Sequence, residues 1–62
     1  MTDCTYKLES YRKEDDHLWN TSFGNNRELF MKNIDKNYEN YYCILYIKSG
    51  NRWKEIASSK YR

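Results

Sequence analysis

The first third of the chain alternates apolar and polar residues, which is the pattern of a β-strand with one buried face. In TYKLESY, residues 5–11, Tyr6 and Leu8 fall on one side and Lys7 and Glu9 on the other. A charged run, RKEDD, separates this segment from HLWNTSF, residues 17–23. The pattern predicts two antiparallel strands joined by a turn that is longer than a tight hairpin loop.

The period changes in the middle of the chain. Phe30, Ile34 and Tyr38 recur every four residues, which is the spacing of one face of an α-helix. Asn25 stands three residues before Glu28, which resembles a capping box with Asn as the cap. We therefore predict a helix over residues 26–38.

The last third reads as a β-hairpin, because Gly50-Asn51 is a two-residue turn signal. Continuing the register outward from this turn predicts one face with the pairs Lys48/Trp53, Tyr46/Glu55, Ile44/Ala57 and Tyr42/Ser59. The other face is predicted to carry Ile47/Lys54, Leu45/Ile56, Cys43/Ser58 and Tyr41/Lys60. The segment from Tyr41 to Ile47 is apolar or aromatic at every position, so both of its faces need cover.

These elements predict an α+β fold: a small ββαββ domain with a four-stranded, largely antiparallel sheet and one helix packed on one face. A chain of 62 residues has room for one hydrophobic core, so we expect a single domain over residues 1–62. The order of the strands in the sheet stays open.

One helix can cover only one face of the sheet. Its aliphatic partners are expected to be Cys43, Leu45, Ile47 and Ile56, joined from the first two strands by Tyr6, Leu8, Trp19 and Phe23. The predicted centre of the core is Leu8, Trp19, Phe30, Ile34 and Leu45. The opposite face is then expected to show Tyr42, Ile44, Tyr46, Trp53 and Ala57.

Two interpretations of that second face remain open. Tyrosine hydroxyls and flanking charged side chains can allow such a face to be exposed to solvent. Alternatively, the aromatic side chains form an interface, either with a second copy or with a foreign partner. Exchanging the two faces would expose Tyr41, Cys43, Leu45, Ile47 and Ile56 instead, which is less favourable because leucine and isoleucine tolerate water less well than tyrosine.

Composition narrows the function classes. The chain is 39% hydrophobic and 32% charged with a net charge of +2, and it has no run of about 18 apolar residues. We therefore expect a protein of the cytoplasm, inside a host cell if a phage encodes it, with no membrane partner. Cys4 and Cys43 are interpreted as two reduced thiols, and no spaced Cys/His cluster predicts zinc or another cofactor.

Few residues suggest chemistry. Cys4, His17 and the Asp15-Asp16 pair are the only reactive-looking side chains, and nothing in their spacing enforces a catalytic arrangement. We therefore expect a protein that is not an enzyme.

The favoured prediction is a small protein-binding module that uses an aromatic sheet face, with Tyr42, Tyr46 and Trp53 flanked by Arg52 and Lys54. Its size and its composition, rich in residues with AT-rich codons, suggest a phage or mobile-element inhibitor of a host or defence protein. A homodimer is a further possibility. The alternative is a small nucleic-acid-binding protein that stacks bases on Tyr and Trp and uses C-terminal basic residues.

Overall fold

The computed structural model describes residues 5–36 and 38–60 and confirms the predicted α+β architecture. The elements in chain order are β1 (Tyr6–Arg12), β2 (His17–Gly24), α1 (Arg27–Lys36), β3 (Tyr41–Ser49) and β4 (Arg52–Ser58). The four strands form one antiparallel sheet in the order β2-β1-β3-β4. Strands β1 and β3 are therefore central, and β2 and β4 are the two edges.

The core lies between α1 and the two central strands. Leu8 of β1 lies directly opposite Leu45 of β3, and both side chains are buried against Phe30 and Ile34 of the helix. Leu45 and Ile34 have no exposed surface at all. The predicted core is thus confirmed for these four residues.

The helix begins one residue later than its sequence signal suggested. The backbone N–H of Leu29 donates to Asn26 Oδ1 at 3.2 Å, so Asn26 is the cap and the prediction of Asn25 was wrong. Asn25 Oδ1 instead accepts a hydrogen bond from the backbone N–H of Thr5 at 2.8 Å. The side chain of Asn26 therefore caps the helix. The side chain of Asn25 ties Thr5, at the start of the described chain, to the connection between β2 and α1.

The two asparagines predict different mutational effects. Asn26→Ala removes the acceptor that satisfies a free N–H of the first helical turn, and we expect it to lower the free energy of unfolding by about 1 kcal/mol. Asn25→Ala should leave the helix content of the far-ultraviolet circular dichroism spectrum unchanged. A larger loss of helix from Asn25→Ala than from Asn26→Ala would contradict this assignment of the cap.

A β-bulge in β2 changes which side chains face the helix. Ser10 pairs with Asn20 and Tyr11 pairs with Leu18, so Trp19 is an extra residue in its strand. Trp19 lies on the helix side at the rim of the core and is 55% exposed, so its predicted place in the core was wrong. Phe23 pairs with Lys7 on the opposite face of the sheet, so its predicted position under the helix was also wrong.

A second irregularity lies between β3 and β4. Near the turn the predicted pairs Lys48/Trp53, Tyr46/Glu55 and Ile47/Lys54 are confirmed. Gly50 has φ 62°, as the first position of a tight hairpin turn requires.

Beyond Tyr46 the register shifts, because Leu45 pairs with Ala57 rather than Ile56, and Ile44 pairs with Ser58. Ala57 therefore packs against the core, and its predicted place on the opposite face was wrong.

Candidate interaction surface

The face of the sheet opposite α1, named here the open face, is covered by polar side chains of β1. Lys7 and Glu9 are mostly buried, with 17% and 14% of their side chains exposed. Lys7 Nζ lies 3.7 Å from Glu9 Oε2, 4.8 Å from the ring centre of Tyr46 and 5.0 Å from that of Trp53. The stem and charge of Lys7 thus lie over the aromatic rings that the hairpin alone would leave uncovered.

Glu9 interacts with the hydroxyl groups of Tyr11 and Tyr46 on the open face. The Tyr11 hydroxyl donates to Glu9 Oε1 at 2.9 Å. Burial, followed by hydrogen bonding with Glu9 and by its negative charge, raises the pKa of both Tyr11 and Tyr46 above the ordinary value. A neutral tyrosine is the form that can donate to a carboxylate, so the network holds both hydroxyls in their protonated state.

Tyr42 was predicted to lie at the surface of the aromatic face, but it is 5% exposed. Its ring stacks on Tyr11 with the centres 5.2 Å apart and the planes 11° from parallel. Its hydroxyl donates to Asp16 Oδ1 at 3.0 Å, and Lys60 Nζ lies 5.5 Å from its ring centre. Tyr42 therefore supports the fold and presents almost no surface to a partner.

The remaining predicted site residues fall into two groups. Tyr46 and Trp53 are half-buried together on the open face, and Trp53 is 6.0 Å from the ring of Phe23. Arg52 and Lys54 are exposed, but they pair with Ser49 and Ile47 on the helix side of β4. The structure therefore brings Tyr46 and Trp53 together and places the two cations on the other side of the sheet.

Acidic side chains in the turn between β1 and β2 make contacts that stabilise this hairpin. Arg12 makes two hydrogen bonds to the Asp15 carboxylate, at 3.0 and 2.8 Å, and the backbone N–H of His17 donates to the same group. The hydrogen bonds from Arg12 are the first cause that lowers the pKa of Asp15. Asp16 has φ 55° and accepts from Tyr42. These contacts give both carboxylates a structural role.

The exposed apolar groups are concentrated along one edge of the sheet. The large hydrophobic side chains with the greatest exposure among the described residues are Leu18 at 41%, Trp19 at 55%, Phe23 at 56% and Leu29 at 55%. The first three belong to β2, and we name this strand with its exposed side chains the β2 edge. Leu18 and Phe23 lie on the open face, whereas Trp19 lies on the helix side.

A groove runs along the helix side of this edge. Because α1 packs mainly over β3 and β4, the β1–β2 half of that face is left partly uncovered. The groove has a volume of about 500 Å³, and Trp19 and Leu29 are among its lining residues, with the buried Leu8 and Cys43. It is mainly apolar, with Asn20 and Asn33 as its amide groups.

This surface was not predicted from the sequence, although a signal was present. The stretch Leu18–Gly24 contains no Asp, Glu, Lys, Arg or Pro in a chain that is 32% charged. Natural edge strands usually carry such residues, because these residues discourage pairing with another chain. An uncharged strand with exposed apolar side chains is typical of a site for strand addition or of an aggregation hazard.

Neither a cluster of metal ligands nor a membrane-spanning helix occurs in the described part of the chain. No group of three or more His, Cys, Asp or Glu side chains converges within residues 5–36 and 38–60. Cys43 is a buried free thiol, 3.4 Å from the Ser10 hydroxyl, and Cys4 lies outside the described residues. No helix in the described part of the chain is long and apolar enough to span a bilayer.

Comparison with known proteins adds no relative. The chain matches no protein-family model, no curated protein and no solved structure.

Proposed function

We propose that this protein is a non-enzymatic protein-binding module that accepts an extended segment of a protein along the β2 edge. The observation that carries the proposal is that, among the described residues, three of the four large exposed hydrophobic side chains lie on this one edge strand, whose residues 18–24 are uncharged. The predicted setting, inhibition of a host or defence protein by a phage or mobile-element product, stays a prediction.

Strand addition uses both the backbone and the side chains of an edge. An added strand takes its main-chain hydrogen bonds from the free side of β2, and its alternate side chains point to the two faces of the sheet. On the open face these side chains would contact Leu18 and Phe23. On the helix side they would enter the groove beside Trp19 and Leu29. Contacts in this mainly apolar groove would select partners with apolar side chains at those positions.

The other edge of the sheet is protected against the same use. Strand β4 carries Arg52, Lys54 and Glu55 along its length, whereas residues 18–24 of β2 contain no Asp, Glu, Lys or Arg. Charged side chains are one of the usual means by which edge strands avoid pairing with another chain. The contrast between the two edges favours β2 as the binding edge.

The alternative function, nucleic-acid binding by base stacking, has less support. The ring of Tyr46 has Lys7 Nζ over it, and Tyr42 is already stacked on Tyr11. The cations Arg52 and Lys54 lie on the helix side, away from these rings. A net charge of +2 supplies only a weak field for phosphate groups.

A single added charge tests the proposal. Thr21 is an exposed residue near the middle of β2, so Thr21→Lys places a cation on the β2 edge with the acidic Glu9 as its strand partner. Asn51→Lys adds the same charge at the exposed hairpin turn and is the matched control. Extended peptides are first selected from a displayed library for binding to the wild-type protein. We expect these peptides to bind Thr21→Lys at least about tenfold more weakly than the wild type.

The same peptides should bind Asn51→Lys with unchanged affinity, measured by fluorescence anisotropy. Truncation of Trp19 to Ala should also weaken them, because exposed aromatic anchors dominate binding energy. Selected peptides that bind wild type and Thr21→Lys equally well would overturn the proposed surface.

A further inference from the structure

We infer that the occupant of the β2 edge is a second copy of this chain. The two β2 strands would pair antiparallel about a two-fold axis, so that two four-stranded sheets become one continuous sheet of eight strands. This inference rests on the proposed function, since it uses the same edge and names the partner.

The β2 edge is electrostatically compatible with a copy of itself. In a two-fold interface the same patch meets itself, so a charged strand places its own charges near their copies. Strand β2 avoids this cost because Leu18–Gly24 carries no formal charge. The β4 strand is less suited to pairing with itself, since it carries Arg52, Lys54 and Glu55.

Exposed apolar side chains lie on both faces of the β2 edge. A two-fold axis perpendicular to the sheet keeps the open faces of both copies on one side and the helices on the other. Because the two strands run antiparallel, Leu18 of one copy then approaches Phe23 of the second copy on the open face, and Phe23 approaches Leu18. On the opposite side Trp19 and Leu29 of each copy flank the junction, so both faces lose exposed apolar surface.

The hydrophobic core of the described chain is small. Only Ile34, Leu45 and Ser59 are fully buried among the described side chains. Domains near this length bury about 60% of the surface of the unfolded chain and often depend on association for stability. A second copy is present wherever the chain is made, and it therefore supplies that stability without a foreign partner.

Sedimentation equilibrium of the full chain across the micromolar range tests the inference. We expect wild type and Asn51→Lys to pass from monomer to dimer as concentration rises, and Thr21→Lys to dissociate at concentrations at least about tenfold higher. Circular dichroism should show that Thr21→Lys keeps its fold. If it does not, Trp19→Ser, which changes a rim residue outside the core, replaces it.

The outcomes separate this inference from the proposed function. A wild-type chain that stays monomeric throughout, or a dimer that Thr21→Lys does not weaken, overturns the inference of a second copy. If peptides still bind that protein and lose affinity in Thr21→Lys, the β2 edge remains a binding site for another protein. If neither association depends on β2, the proposed function fails as well.

Discussion

Replacement of Leu45 by Ala is expected to lower the free energy of unfolding by about 2–5 kcal/mol. Leu45 is completely buried between its strand partner Leu8 and the helix residues Phe30 and Ile34. Truncation loses the transfer free energy of the removed groups and leaves a cavity that the surrounding side chains fill only in part. A domain with so small a core has little stability to lose, so we expect Leu45→Ala to be largely unfolded at physiological temperature.

Leu29→Ala is the matched control, because it makes the same chemical change at a position that is 55% exposed on α1. Substitutions at such exposed positions usually change stability by no more than about 0.5 kcal/mol. Urea denaturation followed by tryptophan fluorescence, at concentrations at which the chain is monomeric, measures both variants. Equal destabilisation by Leu45→Ala and Leu29→Ala would contradict the assignment of the core.

Alkaline pH is expected to destabilise the protein through the open face. Burial and the contact with Glu9 raise the pKa of Tyr46 in the folded chain, whereas an unfolded tyrosine titrates near about 10. Tyr46 therefore contributes stability that is fully present below about pH 10 and is lost as the pH rises from there towards the folded pKa, because only the unfolded state releases the proton. Tyr11, whose pKa is raised by burial and by Glu9, acts in the same direction.

Tyr46→Phe keeps the ring beneath Lys7 and removes the titrating hydroxyl. We expect its melting temperature to be less sensitive to pH above about 10 than that of the wild type. A pH titration followed by the absorbance of ionised tyrosine should also differ. Tyr46→Phe should have one fewer tyrosine than the wild type that stays protonated above about pH 10. An identical loss of stability in Tyr46→Phe and wild type would show that the hydroxyl of Tyr46 does not contribute to the alkaline transition.

The sequence predicts the type of the described elements because the alternation in β1, the four-residue spacing in α1 and the turn signal between β3 and β4 are each visible in the chain. The helix face at Phe30 and Ile34 and the Gly50 turn are local features, so they survive in the folded structure. The two register irregularities are not local, because a bulge is defined by the partner strand. Trp19 and Ala57 were consequently assigned to the wrong positions, since strict alternation cannot show where an extra residue enters a strand.

The candidate site was harder to predict, because it depends on strand order. The predicted aromatic face assumed that only the last hairpin contributes to it. Strand β1 instead lies beside β3 and brings Lys7 and Glu9, the polar side of its own alternating pattern, over Tyr46 and Trp53. The outer position of β2, which exposes Phe23, follows from the same order.

Amide hydrogen exchange at low and high protein concentration tests most directly whether the β2 edge pairs with a second copy. Two-fold pairing would protect the outward-facing N–H groups of residues 18–24, and protection should rise with concentration. The β4 edge, residues 52–58 of the same sheet, is the internal control and should show no such dependence. Protection of β2 that increases with concentration while β4 is unchanged is the predicted result. Exchange from β2 that is independent of concentration, or protection that rises in β4 instead, would contradict it.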